Sequence, residues 1–147
     1  MRVQGYHANL VVGASYMRTQ PARPRTPTSR MEFTGVDVRW MRDGVQLRGE
    51  WVDGQPNDSR HTRGGYIDAF VHRRQMGPVT ALARIEMLDF TGGRTPVYAR
   101  RATLGARVLI ADGLYASVNG SRQTGAIYSQ FRNSVDLGLT YTIRFAK

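Results

Sequence analysis

The residues of this chain best suited to chemistry are its charged ones, and they recur two apart. Asp37 and Arg39 flank Val38, Arg48 and Glu50 flank Gly49, and Arg84 and Glu86 flank Ile85. Asp68, His72, Arg107, Asp136 and Arg144 sit on the polar parity of their own alternating stretches. A spacing of two puts side chains on one face of a β-strand. Laid side by side, such strands present a wall of arginines and carboxylates. Fixed charges along a water-filled passage select ions, and arginine favours anions and phosphate. The competing expectation is that the wall arginines pair across strands with Asp37, Glu50, Asp68, Glu86 and Asp136, and simply keep the wall hydrated.

Enzyme chemistry finds little to work with, and none is expected. His7, His61 and His72 show no metal-ligand spacing, so no metal site is expected. The chain has no Gly-x-Ser-x-Gly, no phosphate loop and no dinucleotide fingerprint, and no cofactor is expected. Glu86 and Asp89 lie three apart, which on a strand places them on opposite faces. That is a poor arrangement for an acid and base acting together.

The 147 residues suit one domain, 1–147. The composition is 41% hydrophobic, yet no run approaches the ~18 apolar residues of a spanning helix. A β-barrel escapes that test, because only alternate residues meet lipid. Cysteine is absent, which excludes disulfides and leaves the redox compartment open. The net charge of +10 is almost all arginine, with lysine only at Lys147, and suggests an anionic partner. The excess falls between the alternating stretches, at Arg18, Arg23, Arg25, Arg30, Arg60, Arg63, Arg94, Arg100 and Arg101.

About eight strands position the charges. The first runs through residues 5–16, with Tyr6, Ala8, Leu10, Val12, Ala14 and Tyr16 on one parity. A proline-rich loop follows over 18–30, because proline at that density cannot sit in a sheet. Strand two ends in Val36, Val38 and Trp40; Asp43-Gly44 makes a hairpin turn into strand three, with Val45, Leu47, Gly49 and Trp51. Polar loops are expected over 53–63, 89–100 and 121–134, and short connections at 73–78 and 111–113. Between them lie strands carrying Ile67, Ala69 and Val71; Val79, Ala81, Ala83, Ile85 and Met87; Ala102, Leu104, Ala106, Val108 and Ile110; and Leu114, Ala116 and Val118. The last strand alternates Leu137, Leu139, Tyr141, Ile143 and Phe145 with Asp136, Gly138, Thr140, Thr142 and Arg144.

Read this way, connections alternate long and short, as in bacterial outer-membrane barrels with long external loops and tight periplasmic turns. Trp40 and Phe145 at one end, and Trp51 and Tyr16 at the other, would form aromatic girdles. The terminal strand, with Asp136, Gly138, Tyr141, Ile143 and Phe145, resembles the C-terminal assembly signal of outer-membrane β-barrel proteins, although Ala146 and Lys147 follow the aromatic. The segment ALARIEMLDF and the hairpin VDVRWMRDGVQLRGEWVDG resemble porins of the phosphate-selective group. The likeness covers most of residues 36–145.

That resemblance implies an all-β, antiparallel up-and-down transmembrane β-barrel in the bacterial outer membrane. Such porins have sixteen or eighteen strands, so the chain would be about the C-terminal half. It implies a passive diffusion channel for small hydrophilic solutes that prefers anions or phosphate. Membrane lipids, the barrel-assembly machinery and two further copies in a homotrimer are the implied partners. The pore-lining residues would be Arg39, Arg48, Glu50, Asp68, His72, Arg84, Glu86, Arg107 and Arg144.

Two other readings use the same alternation. One is a small eight-stranded outer-membrane barrel of structural or adhesive type, its interior plugged by side chains. The other is a soluble basic barrel that binds nucleic acid. It needs aromatics interleaved with arginine on one face, whereas Tyr66, Phe70 and Tyr115 are scattered, so no nucleic acid is expected. The N-terminus has no apolar signal-peptide core. Because an exported barrel needs one, the expectation is a C-terminal part of a longer protein.

Overall fold

The computed structural model describes residues 1–19, 31–57, 60–72, 74–91, 97–125 and 132–142. Nine strands form there: β1 (Arg2–His7), β2 (Leu10–Thr19), β3 (Met31–Arg42), β4 (Val45–Asn57), β5 (Arg60–Val71), β6 (Val79–Thr91), β7 (Val97–Ala111), β8 (Leu114–Gly125) and β9 (Asn133–Tyr141). A single 3-10 turn, Arg74–Met76, interrupts the link from β5 to β6. The strands make one antiparallel sheet in sequence order, an up-and-down meander. The sheet is open, so β1 and β9 each keep an unpaired edge.

The first expected strand is in fact a hairpin. Ala8 takes φ 47°, in the left-handed region, and His7 pairs with Leu10. A two-residue turn pairs residues of opposite parity, so Tyr6 falls opposite Val11 and joins the polar face rather than the apolar one. Unbroken alternation in the sequence hid this reversal. The Asp43-Gly44 turn is as expected, with φ 49° and 76° at the two positions, the signature of the tight hairpin turn that follows strand twist.

Three of the expected polar loops are partly strand. β4 and β5 are separated only by residues 58–59, β6 and β7 by 92–96, and β8 and β9 by 126–132. Connection length therefore does not alternate strictly. The hydrogen-bond ladder uses backbone groups alone, so it continues past the point where the side chains turn polar.

The two faces are chemically distinct. One carries Val12, Val36, Val38, Ile67, Ile85, Leu104, Val118, Leu137 and Leu139, and these side chains are exposed. Ile67 is 65% exposed, Ile85 63% and Leu104 70%, so nothing among the described residues covers this face. Among the described residues Ala99 is the only buried hydrophobic. The other face carries the charges and is concave: Phe33 of β3 and Ser134 of β9 line one hollow with residues of the strands between.

The apolar band slants across the sheet. One register row runs through Leu10, Trp40, Leu47, Ala69, Ala83, Leu104, Gly120 and Val135. On β2 the band begins at Leu10 and extends toward Tyr16; on β9 it begins at Val135 and extends the other way to Tyr141. The border at Tyr16 on β2 and Val135 on β9 thus moves six residues over the seven steps between these strands. With ordinary strand rise and spacing, a level band then requires strands tilted by roughly 30°, near the range of closed barrels.

Gly44→Val forces a branched side chain into the left-handed region. It should lower stability by about 1–2 kcal/mol in denaturant unfolding. Gly5→Ala, where an added methyl meets no atom within contact range, should stay within about 0.5 kcal/mol of the parent.

Candidate functional site

The polar face sorts its charges into two cross-strand rows. One row is Arg39, Arg48, Asp68, Arg84 and Thr103, on β3 to β7. The next, two residues nearer the end that holds the β4–β5 link, is Asp37, Glu50, Tyr66, Glu86, Arg101 and Gln123. Antiparallel register alone creates this sorting, since directly opposed residues share a face.

Asp68 is the centre of the first row. It is 1% exposed, the one buried charged residue among those described. Arg48 Nη2 donates to its Oδ2 at 2.8 Å, and Arg84 Nε lies 3.6 Å from its Oδ1. The guanidiniums lean opposite ways along β5. Arg48 stacks on Phe70 at 4.5 Å and Arg84 on Tyr66 at 4.2 Å, so together they close over the carboxylate. Each such stack contributes about 0.5–2 kcal/mol, more as water is excluded. Arg39 lies directly opposite Arg48 and is exposed. Two arginines face to face repel, and the row's single carboxylate is already shared by Arg48 and Arg84.

The second row is acid-rich. Glu86 accepts from Arg101 Nε at 2.6 Å and lies 3.4 Å from Arg84 Nε, which ties the rows together. Asp37 takes both oxygens to Arg2 Nη2 at 3.0 Å, a contact that draws in β1. Gly13 makes this possible, because a Cβ there would collide with the Asp37 carboxylate. Beyond this row the wall turns apolar. A hollow of about 570 Å³ has Val52, Gly64, Leu88 and Ala99 in its floor and Glu50, Tyr66, Glu86 and Arg101 on its rim.

The remaining expected wall residues are spread out. Arg107 lies on the wall nearer the turns and stacks on Tyr115 at 3.7 Å. His72 stands just past β5, its Nδ1 3.0 Å from the Val79 carbonyl and 3.3 Å from Thr80 Oγ1, so it secures a turn at the end of the wall. Arg144 lies outside the described residues. Of the expected assembly signal, Asp136 and Gly138 lie on the polar face of β9 and Tyr141 on its apolar face; Ile143 and Phe145 lie outside the described residues.

Sequence reasoning misses Arg101, which falls between the expected strands, and the role of the scattered aromatics. Each stacked pair is a diagonal neighbour, one strand across and two residues along, and only the register reveals that. Glu86 and Asp89 do lie on opposite faces, since Glu86 opposes Tyr66 on the wall and Asp89 opposes Arg63 on the other side.

A charged collar borders the apolar band on the opposite face. Asp89 accepts from Arg100 Nη1 at 2.6 Å and Arg63 Nε at 3.3 Å, and Asp53 lies 3.0 Å from His61 Nε2. The Arg100 hydrogen bond, helped by its charge and by Arg63, holds the Asp89 carboxyl below the usual aspartate range against the opposing effect of burial.

Asp68→Asn removes the only carboxylate between Arg48 and Arg84 and leaves Arg84 with Glu86 alone. The loss should be about 2–3 kcal/mol in unfolding, below the ~3–5 of a fully buried pair because both arginines are about one-third exposed. Asp89 stabilises the fold when ionised in the native state. Its contribution is complete above the unfolded aspartate value of about 3.9 and disappears as pH falls through the lower native value. An acid titration of unfolding free energy should accordingly lose part of its slope below about pH 4 in Asp89→Asn.

Compared with known proteins, the chain matches no protein-family model and no curated protein sequence.

Proposed function

We propose that this chain forms part of the wall of an outer-membrane porin, a passive channel for small hydrophilic solutes that prefers anions. The observation that carries the reading is the uncovered apolar band, slanted by nearly one residue per strand, behind a concave charged face. A soluble sheet of this size needs a second layer over its apolar side. A lipid-facing barrel needs none, and its tilted strands produce such a slant. The same exposure argues against a soluble nucleic-acid-binding barrel.

Closure has a parity. With nine antiparallel strands, β1 and β9 run in the same direction. An all-antiparallel barrel therefore takes an odd number of further strands. A sixteen- or eighteen-stranded barrel supplies seven or nine, and both fit.

The anion preference rests on the first row, where three arginines, Arg39, Arg48 and Arg84, stand with one carboxylate, Asp68, which only Arg48 and Arg84 contact. The exposed Arg39 opposite Arg48 is the position where a passing anion relieves repulsion. The neighbouring row of Asp37, Glu50 and Glu86 moderates this, so a preference rather than strict selection is expected.

The test is the reversal potential of the full-length protein in a planar bilayer under a salt gradient. The expected result is a potential displaced toward the anion's equilibrium value, and a smaller displacement in Arg39→Gln. A clear cation preference would end the anion assignment; absence of any conductance from folded, membrane-inserted protein would end the porin reading itself.

A further inference from the structure

The outward apolar face is not uniform. Between β3 and β6 it holds a groove of about 380 Å³, walled by Val36, Val38, Trp51, Ile67, Ile85 and Met87. Its floor is backbone, at Gly49 and Gly65. Trp51 lies against Gly65, where an added Cβ would meet the indole.

The groove ends at cations. Gly65, Met87 and Arg100 share one register row, and Arg63, Asp89 and Tyr98 form the next. Arg63 and Arg100 share the one carboxylate of Asp89, which leaves the triplet net positive. Arg100 commits Nη1 to Asp89 and to the Leu88 and Ala99 carbonyls. Arg63 commits only Nε; its Nη groups have no hydrogen-bond partner among the described residues, and its side chain is 52% exposed. Arg122 lies on the same face, separated from Ile85 by the small Ala102. Asp53, opposite Arg63, is bonded to His61.

An apolar channel leading to half-exposed guanidiniums matches an amphiphile with a hydrocarbon tail and an anionic head. We propose that this groove binds a phospholipid whose head group is net anionic, its phosphate on Arg63 and Arg100 and one acyl chain along Gly49 and Gly65, in preference to a zwitterionic one. The inference rests on the reading that this face meets lipid. The membrane itself supplies the ligand at high local concentration, so modest selectivity is enough to keep the groove occupied.

The chain contains two tryptophans, and Trp51 lines the groove while Trp40 lies toward the turn end. Each becomes a reporter when the other is changed to Phe. The full chain is placed in phosphatidylcholine vesicles containing a minor fraction of brominated-chain phosphatidylglycerol or, separately, brominated-chain phosphatidylcholine. Bromine quenches indole fluorescence only at close range.

In Trp40→Phe protein, phosphatidylglycerol should quench Trp51 several-fold more strongly than phosphatidylcholine. In Trp51→Phe protein, Trp40 should be quenched equally by both lipids. Arg63→Gln/Asp89→Asn/Arg100→Gln, which keeps the side chains polar and similar in size, should abolish the difference at Trp51. Arg63→Lys/Arg100→Lys, which preserves the charge, should keep most of it. Equal quenching of Trp51 by the two lipids overturns the site. Quenching of Trp40 without any quenching of Trp51 also overturns it, because another copy of the chain then covers the groove. Failure of both lipids to quench either tryptophan instead overturns the lipid-facing reading beneath it.

Discussion

The constraint on which this structure depends is that a single sheet must satisfy its own backbone. With no layer packed on its apolar face, every strand relies on its neighbours for hydrogen bonds, and strand order follows chain order throughout. In hydrocarbon an unpaired peptide group costs several kcal/mol, so such a sheet is stable there only as a closed object. The free edges of β1 and β9 are consequently the most demanding feature of the fold. At the two ends of β9 the Arg132 carbonyl accepts from Gln123 N of β8 and Thr142 N donates to the Gly113 carbonyl just before β8, so the intervening outward-paired positions are Asn133, Val135, Leu137, Leu139 and Tyr141. A strand joining that edge in antiparallel register meets the band-facing residues of β9 directly.

Charge on the concave face is organised by the same ladder. Arg48, Asp68 and Arg84 belong to three strands, and no two are close in the chain. Register brings them into line, and Phe70 and Tyr66 then give each guanidinium a surface to rest on. The carboxylate between them suppresses repulsion that would otherwise oppose pairing of β4, β5 and β6. Wall electrostatics and strand pairing are therefore one problem: the side chains that charge the wall also stabilise the register that positions them.

The opposite face shows a comparable division along its length. Aliphatic side chains occupy the band, while Asp53, His61, Arg63, Asp89 and Arg100 form paired charges just beyond it. The strands run on past the band, so the collar is held by regular backbone rather than by loops, and this explains why polar stretches of sequence fold as strand.

How much was legible beforehand follows from the range of each interaction. Period-two alternation is a property of adjacent residues, so the all-β class, the polar and apolar parities, and the Asp43-Gly44 turn could be read from the chain itself. The reversal at Ala8 could not, because a two-residue turn within an alternating run changes parity without any break in composition. Nor could the strand extensions beyond 53, 89 and 121, since polar side chains look like loop when the ladder that pairs them is unseen. The sequence identified Arg48, Asp68 and Arg84 as members of one wall. Only tertiary structure decided that they touch, that Arg101 joins them, and that Tyr66, Phe70 and Tyr115 lie beneath guanidiniums. Side-chain facing is decided locally by the pleat, whereas neighbours across strands depend on register, which hydrogen bonds between distant segments determine.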